Sequence, residues 1–309
     1  MTAKVYCPDI ECESCVRLLK KSFENVKGLG NYSFNKDSID FQYDQAFISP
    51  EDLIKIINER GFRASLTPYP RKTFKERFRD FRENKTKYEN EYKIIKYSIL
   101  AFVLISILEI IAYYGLFKNY PDFISKYLIW IFYVNVSVLT IGTSIWHIKS
   151  YKTELTSMVG MMVGMTFGMQ TGMMLGTIIG ATNGFFMGAT IGMLLGVLVG
   201  FYNGKCCGIM GILEGLMAGL MGGVMGGMTG AMFIADKIQI FMPIFMLINL
   251  IIMIGLSYML FEESIEHNPK VQKNKIDFFS YFSYCLVFIL IIVAMIIYGP
   301  KSGLAGVLA

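Results

Sequence analysis

Gly160-Met161-Met162-Val163-Gly164-Met165-Thr166-Phe167-Gly168-Met169-Gln170-Thr171-Gly172-Met173 is the run from which the fold can be read. Glycine recurs there every fourth residue, and the period continues through Gly176, Gly180, Gly184, Gly188, Gly192, Gly196, Gly200, Gly204 and Gly208. It slips by one residue and resumes at Gly211, Gly215, Gly219, Gly223 and Gly227. In water each interior glycine costs a helix about 1 kcal/mol relative to alanine. In a bilayer the backbone must satisfy its own hydrogen bonds, and small residues four apart let helices approach closely. The spacing therefore predicts membrane helices in tight contact. Four residues turn a helix by about 400°, so the glycine stripe drifts by about 40° per step. One straight partner cannot cover it; crossed helices or two neighbours are required. Methionines ride beside the glycines at Met161, Met165, Met169 and Met173, and again at Met217, Met221 and Met225. They are expected to line the seam that the glycines create.

The surrounding composition fits a polytopic membrane protein. The 309 residues are 54% hydrophobic, with a mean hydropathy of +0.47, which excludes an ordinary soluble fold. Outward from the glycine run, the apolar stretches predict spans at 94–116, 126–147, 156–181, 185–201, 209–233, 239–261 and 278–298. Asn183-Gly184 and Asn203-Gly204 are expected to cap the ends of successive helices, making the third, fourth and fifth spans antiparallel neighbours. Lys149, Lys152, Lys270, Lys273 and Lys275 join the basic segment 68–93 on one side, against Lys118, Lys126, Lys237 and Lys301 on the other. By the excess of positive charge on cytoplasmic loops, the N-terminal region is cytosolic and the C-terminus outside, in the plasma membrane. Residues 1–67 contain no apolar stretch of the secretory-signal kind.

Residues 1–67 read as a small soluble α+β domain of βαββαβ order. Lys4–Cys7 opens as a strand, a helix follows Cys12-Glu13-Ser14-Cys15, and strands flank the Asn35-Lys36-Asp37 turn. Ser49-Pro50-Glu51-Asp52 caps a second helix, and a last strand is expected at Phe62–Leu66. Segment 68–93 reads as a basic amphipathic linker, with Phe74, Phe78 and Phe81 on one helical face, suited either to lying on the inner leaflet or to serving as a solvated helical spacer rather than to binding nucleic acid.

Two motifs suggest metal chemistry. The first is Cys12-x-x-Cys15, in a chain whose six cysteines are not spaced as a disulfide framework. A helix N-terminus favours the thiolate of Cys15, and paired sulfurs suit Cu(I), with Zn(II) or Cd(II) as alternatives. The second is Cys206-Cys207, which the charge rule puts on the side of the metal domain. Thioethers are neutral, weak, soft ligands, and methionines four apart share a helical face. Glu214, one turn before Met217, is a polar candidate at the mouth of such a path; Glu109, Asn135 and Asn249 are intramembrane polar residues of the same general interest. Met242, Met246 and Met253 could extend the sulfur lining. Cys7 and Cys285 read as packing thiols, and His147 and His267 as interfacial.

The CxxC after the first strand, Tyr43-Asp44 at the end of the third and Gly61-Phe62 before the fourth resemble the heavy-metal-associated domain of copper chaperones and metal-pumping P-type ATPases. The resemblance covers about the first fifth of the chain. It implies a ferredoxin-like fold, with a soft ion bound by Cys12 on the loop and Cys15 opening the helix. Asp9-Ile10-Glu11 departs from the Gly-Met-Thr/His of that family, and acid beside the first cysteine is more typical of its zinc, cadmium and lead members. The MxxxM pattern inside a glycine-rich helix pair is similar to that of eukaryotic copper-uptake channels. Taken whole, the chain resembles bacterial and archaeal fusions of this metal domain to a Met/Gly-rich membrane domain. The expected function is soft-metal transport without enzymatic activity. The chain has no P-loop, no Asp-Lys-Thr-Gly phosphorylation sequence and no nucleophile–base–orienter set. The expected partners are the metal ion, the lipid bilayer, a cytosolic metallochaperone and a second copy of the chain. A membrane-anchored metallochaperone, buffer or sensor, and a thiol oxidoreductase, are the rival readings.

Overall fold

A computed structural model describes residues 2–7, 10, 13–23, 26, 28–35, 37–45, 47–59, 62, 64–68, 79, 81–83, 88–118, 123–152, 157–234, 236–262, 272–274 and 277–302. The chain divides into two compact units, Met1–Asn84 and Lys85–Ala309.

The first unit follows the alternation of its sequence. Strands β1 (Thr2–Tyr6), β2 (Leu29–Phe34) and β3 (Ser38–Tyr43) form an antiparallel sheet in the order β1-β3-β2. Helices α1 (Glu13–Phe23) and α2 (Pro50–Glu59) complete it. Val5, Leu19, Phe23, Ile39, Phe41, Leu53 and Ile57 fill the core. Ser49 caps α2 as expected: its hydroxyl accepts the Asp52 N–H at 3.2 Å, and the Asp52 carboxylate accepts the Ser49 N–H at 3.1 Å. The Ser49 donors hold the Asp52 carboxyl below its usual range. Among the described residues the sheet has three strands, not the four expected. Among the described residues of 62–66 only Ser65 pairs, in an isolated antiparallel bridge to Tyr6. Local side chains take the groups a ladder would use. Asn58 accepts the Ala64 N–H, and the Ser65 hydroxyl accepts the Thr67 N–H, turning the chain just before Pro68.

Among its described residues the second unit has seven helices long and apolar enough to cross a membrane, which makes the chain a multi-pass membrane protein. They are α3 (Glu89–Ala112), α4 (Phe123–Lys149), α5 (Ser157–Asn183), α6 (Phe185–Gly204), α7 (Gly208–Phe233), α8 (Ile238–Leu260) and α9 (Phe278–Tyr298). A π-helical segment, Tyr113–Phe117, extends α3. Between Tyr151–Lys152 (β4) and Gln272–Lys273 (β5) runs a short antiparallel ribbon that the sequence did not announce.

Glycine builds the centre. The turn between α5 and α6 is one residue, Gly184, at φ 105°, a conformation open to glycine. Folding back there brings α6 antiparallel to α5, so that glycines equally far from Gly184 meet: Gly180 with Gly188, Gly176 with Gly192, and Gly164 with Gly204. Helix α7 reverses again and pairs Gly204 with Gly211, Gly200 with Gly215, Gly196 with Gly219 and Gly192 with Gly223. It therefore runs parallel to α5, where Gly164 meets Gly211, Gly168 meets Gly215 and Gly180 meets Gly227. The drifting stripe is thus covered by two neighbours on every helix. A Cβ on Gly172 would lie 2.5 Å from Gly223 N and 3.0 Å from Gly219 O, so backbone occupies the space of the missing side chain. The doublets Gly222-Gly223 and Gly226-Gly227 give α7 two inner faces, one toward Met169 and Met173 of α5 and one toward α6.

The fourth span is longer than expected. Asn203 does not cap it: the Asn203 side-chain amide donates back to Val199 O at 2.8 Å from inside the helix, which continues to Gly204. Asn183 does end α5, its side chain donating to Met295 O at 3.2 Å. The other four spans pack by side chains, on one another and on α5. Ile131, Val134, Met174, Ile178, Tyr281 and Ile289 belong to one buried cluster, and Phe167, Val163, Ile141 and Met253 to another.

Candidate functional site

Cys12 lies outside the described residues. Cys15 is the third residue of α1, and its side chain is likewise outside them. Lys205–Cys207 form a single 3-10 turn between α6 and α7, followed by Gly208 at φ 73°. Cys206 is exposed, and its thiol donates to Asn203 O at 3.2 Å. Cys207 shares the turn; its side chain is outside the description.

The turn lies at the end of the membrane unit where α3 begins. Lys149, at the end of α4, sits over the rings of Trp146 and Tyr202, at 4.8 Å and 5.1 Å, joining the ends of α4 and α6. At the same end of α4, His147 Nε2 stands 3.7 Å from Glu91 Oε1 in the first turn of α3, and the Tyr151 hydroxyl donates to that oxygen. His147, in the last turn of its span, is therefore buried and partnered across helices. His267 lies outside the described residues.

The methionines do not line the glycine seam. Met217, Met221 and Met225 are 62%, 52% and 46% exposed on the outer face of α7. Met165 is 46% exposed, while Met161, Met169 and Met173 are half-buried. Met169 and Met173 meet Gly222 and Gly226 through backbone atoms, at the rim of the α5–α7 contact. The reason is steric: glycines four apart bring the backbones so close that no thioether fits between them. Glu214 is exposed on the same face of α7 as Met210 and Met217. Among the described residues, all the strongly exposed methionines lie on α5 and α7; the other spans expose Ile, Leu, Val and aromatic residues.

The buried sulfurs are elsewhere. Met242, Met246 and Met253 share the inner face of α8 with Asn249, and Met174 lies in α5. The Ser137 hydroxyl points to Met246 Sδ at 3.7 Å. Asn249 is satisfied within its own helix by Phe245 O at 2.7 Å. Asn135 donates to Glu109 Oε2 at 2.7 Å, joining α4 to α3. Cys7 and Cys285 are both buried, as packing thiols should be. Among the described residues no group of three or more His, Cys, Asp or Glu side chains could hold a metal ion. No protein family, curated protein or solved structure matches the chain.

Proposed function

We propose that the protein binds a soft metal ion, Cu(I) before Zn(II) or Cd(II), and moves it across the plasma membrane. Cys12 and Cys15 of a cytosolic, ferredoxin-like first unit receive the ion, from a metallochaperone or directly. Thiolate exchange then hands it to Cys206 and Cys207. The observation that carries this reading is the exposed Cys206 on a turn at the end of the membrane unit where α3 begins. The ferredoxin-like reading of the first unit draws support from the Ser65 bridge, which lies on the free edge of β1 where a fourth strand belongs.

Onward movement uses the outer face of α7. Glu214, Met217, Met221 and Met225 lie there in succession, and an exposed carboxylate within a span is costly against lipid. A second copy of the chain, packed on this face, would turn it into an enclosed path of weak ligands. Such ligands release an ion as readily as they bind it. Efflux is the favoured direction, because the collecting domain is cytosolic on the charge rule. The exposed methionines also favour one rival, a membrane-anchored metallochaperone, buffer or sensor whose spans are scaffold.

Copper flux into proteoliposomes separates the two. Transport predicts uptake above empty vesicles that falls at least tenfold in Cys206→Ser/Cys207→Ser and in Met217→Leu/Met221→Leu/Met225→Leu. Absence of flux from folded protein that still binds copper through Cys12 and Cys15 would leave the anchored binder.

A further inference from the structure

Glu109 and Asn135 present an imbalance that one hydrogen atom resolves. Both lie within spans, Glu109 on α3 and Asn135 on α4, and Asn135 is 2% exposed. The Asn135 amide N–H donates to Glu109 Oε2. Glu109 Oε1 and Asn135 Oδ1 remain, both buried and both without a hydrogen-bond partner. Each is an oxygen, so neither can donate to the other while the carboxyl is ionised. Buried polar atoms are rarely left in this state, since each loses its water without replacement.

A proton on the carboxyl supplies the missing donor. The acid O–H then faces the amide oxygen while the amide N–H faces the acid oxygen, and all four polar atoms are used. A metal cation fits poorly, because it would need several more oxygen or nitrogen ligands than the two present. The spans that carry and flank the pair offer no other charge as an alternative. Glu109 is the only charged residue from Tyr97 to Phe117; α4 has none from Tyr127 to Trp146, and α9 has none. The titratable groups closest in sequence on α3 and α4 are Tyr113 and Tyr133, α9 carries Tyr281, Tyr284 and Cys285, and among the described residues Glu109 is hydrogen-bonded to Asn135.

A second feature marks the same place. One turn after Glu109 the helix changes its winding: the Tyr113 N–H reaches both Glu109 O and Ile110 O, and the π-helical segment Tyr113–Phe117 begins. Such segments recur at functional sites because they loosen the local hydrogen-bond ladder. We propose that Glu109 and Asn135 form an intramembrane proton-binding site, holding one proton between α3 and α4 as a reciprocally bonded acid–amide pair. Binding adds one proton to the carboxylate; release returns the carboxylate and leaves the two acceptor oxygens unmatched. The site stands independently of the metal reading.

Infrared spectroscopy of the full-length protein in lipid bilayers at neutral pH tests it. The wild type should show the carbonyl absorption of a protonated carboxylic acid, and Glu109→Gln should lose that band. Asn135→Leu should keep the band but shift it to higher frequency, as a carbonyl freed from its partner does. The second variant leaves the acid in place and serves if Glu109→Gln does not fold. An unchanged spectrum in Glu109→Gln would overturn the proposal, as would a band unmoved in Asn135→Leu.

Discussion

The membrane unit packs its helices in two ways. In α5, α6 and α7 the contact is backbone on backbone, with glycines of one helix against glycines of the next. In α3, α4, α8 and α9 the contact is made by interlocking side chains, with Tyr281, Ile289, Ile131 and Val134 buried together. Lipid is as apolar as leucine, so neither half gains much from hiding hydrocarbon; close packing and hydrogen bonds hold both. The difference lies in tolerance. A side-chain interface has rotamers to adjust, whereas a backbone interface has none. The first should weaken by degrees and the second fail at once.

Gly223→Leu should show the largest effect. Its side chain would have to occupy the backbone of Gly192 and Met193, and ordinary overpacking already costs about 1–3 kcal/mol. Loss of the monodisperse peak in size-exclusion chromatography is the expected result; a wild-type profile would break the comparison. Phe167→Ala attacks the other kind of contact, opening a cavity beside Val163, Ile141 and Met253. In lipid the transfer part of the usual penalty shrinks, leaving a loss of about 2 kcal/mol in denaturant titration, with the fold intact.

Asp277→Ala sharpens the comparison at a helix end. The Asp277 carboxylate accepts the Ser280 hydroxyl at 2.7 Å, the Ser280 N–H at 3.2 Å and the Phe279 N–H at 3.4 Å. Those donors hold its carboxyl below the usual range. The cap therefore stabilises the fold above the ordinary carboxylate pKa, and its contribution disappears as pH falls through the lowered one. The wild type should melt slightly above Asp277→Ala at neutral pH, and the gap should close on acidification. Gly255→Ala should do least. No neighbouring atom lies within 4 Å of its added Cβ, so stability should hold level or rise by up to about 1 kcal/mol. A large loss there would mean that glycine matters for something other than close approach.

The sequence was informative where a pattern carried its own geometry. Seven apolar lengths became seven spans, and the drifting period of four required two neighbours for each glycine helix. Periodicity located the methionines on shared faces but not which way those faces look. The signal that would have decided it was present in Gly222-Gly223 and Gly226-Gly227: a helix with two adjacent glycine faces must turn its third face outward, and Met217, Met221 and Met225 occupy that face. Asn203 departs from the expected cap because asparagine both caps helices and bonds to its own preceding turn, and the choice depends on the packing around it. The fourth strand was lost to Asn58 and Ser65, whose side chains compete with a ladder from a distance that local alternation does not reveal. Glu109 and Asn135 stood out singly as intramembrane polar residues, but their meeting across two helices is a tertiary fact.

The hairpin at Gly184 makes the central bundle sensitive to counting. Inserting one residue in the middle of α6 would rotate every later glycine of that helix by about 100° and lift it by about 1.5 Å, and the opposing glycines of α5 and α7 would meet side chains instead. The one-residue slip between Gly208 and Gly211 falls at the reversal into α7, where the count can reset because the backbone changes direction there. Length variation among related chains should accordingly collect at that reversal and be purged from the helices on either side.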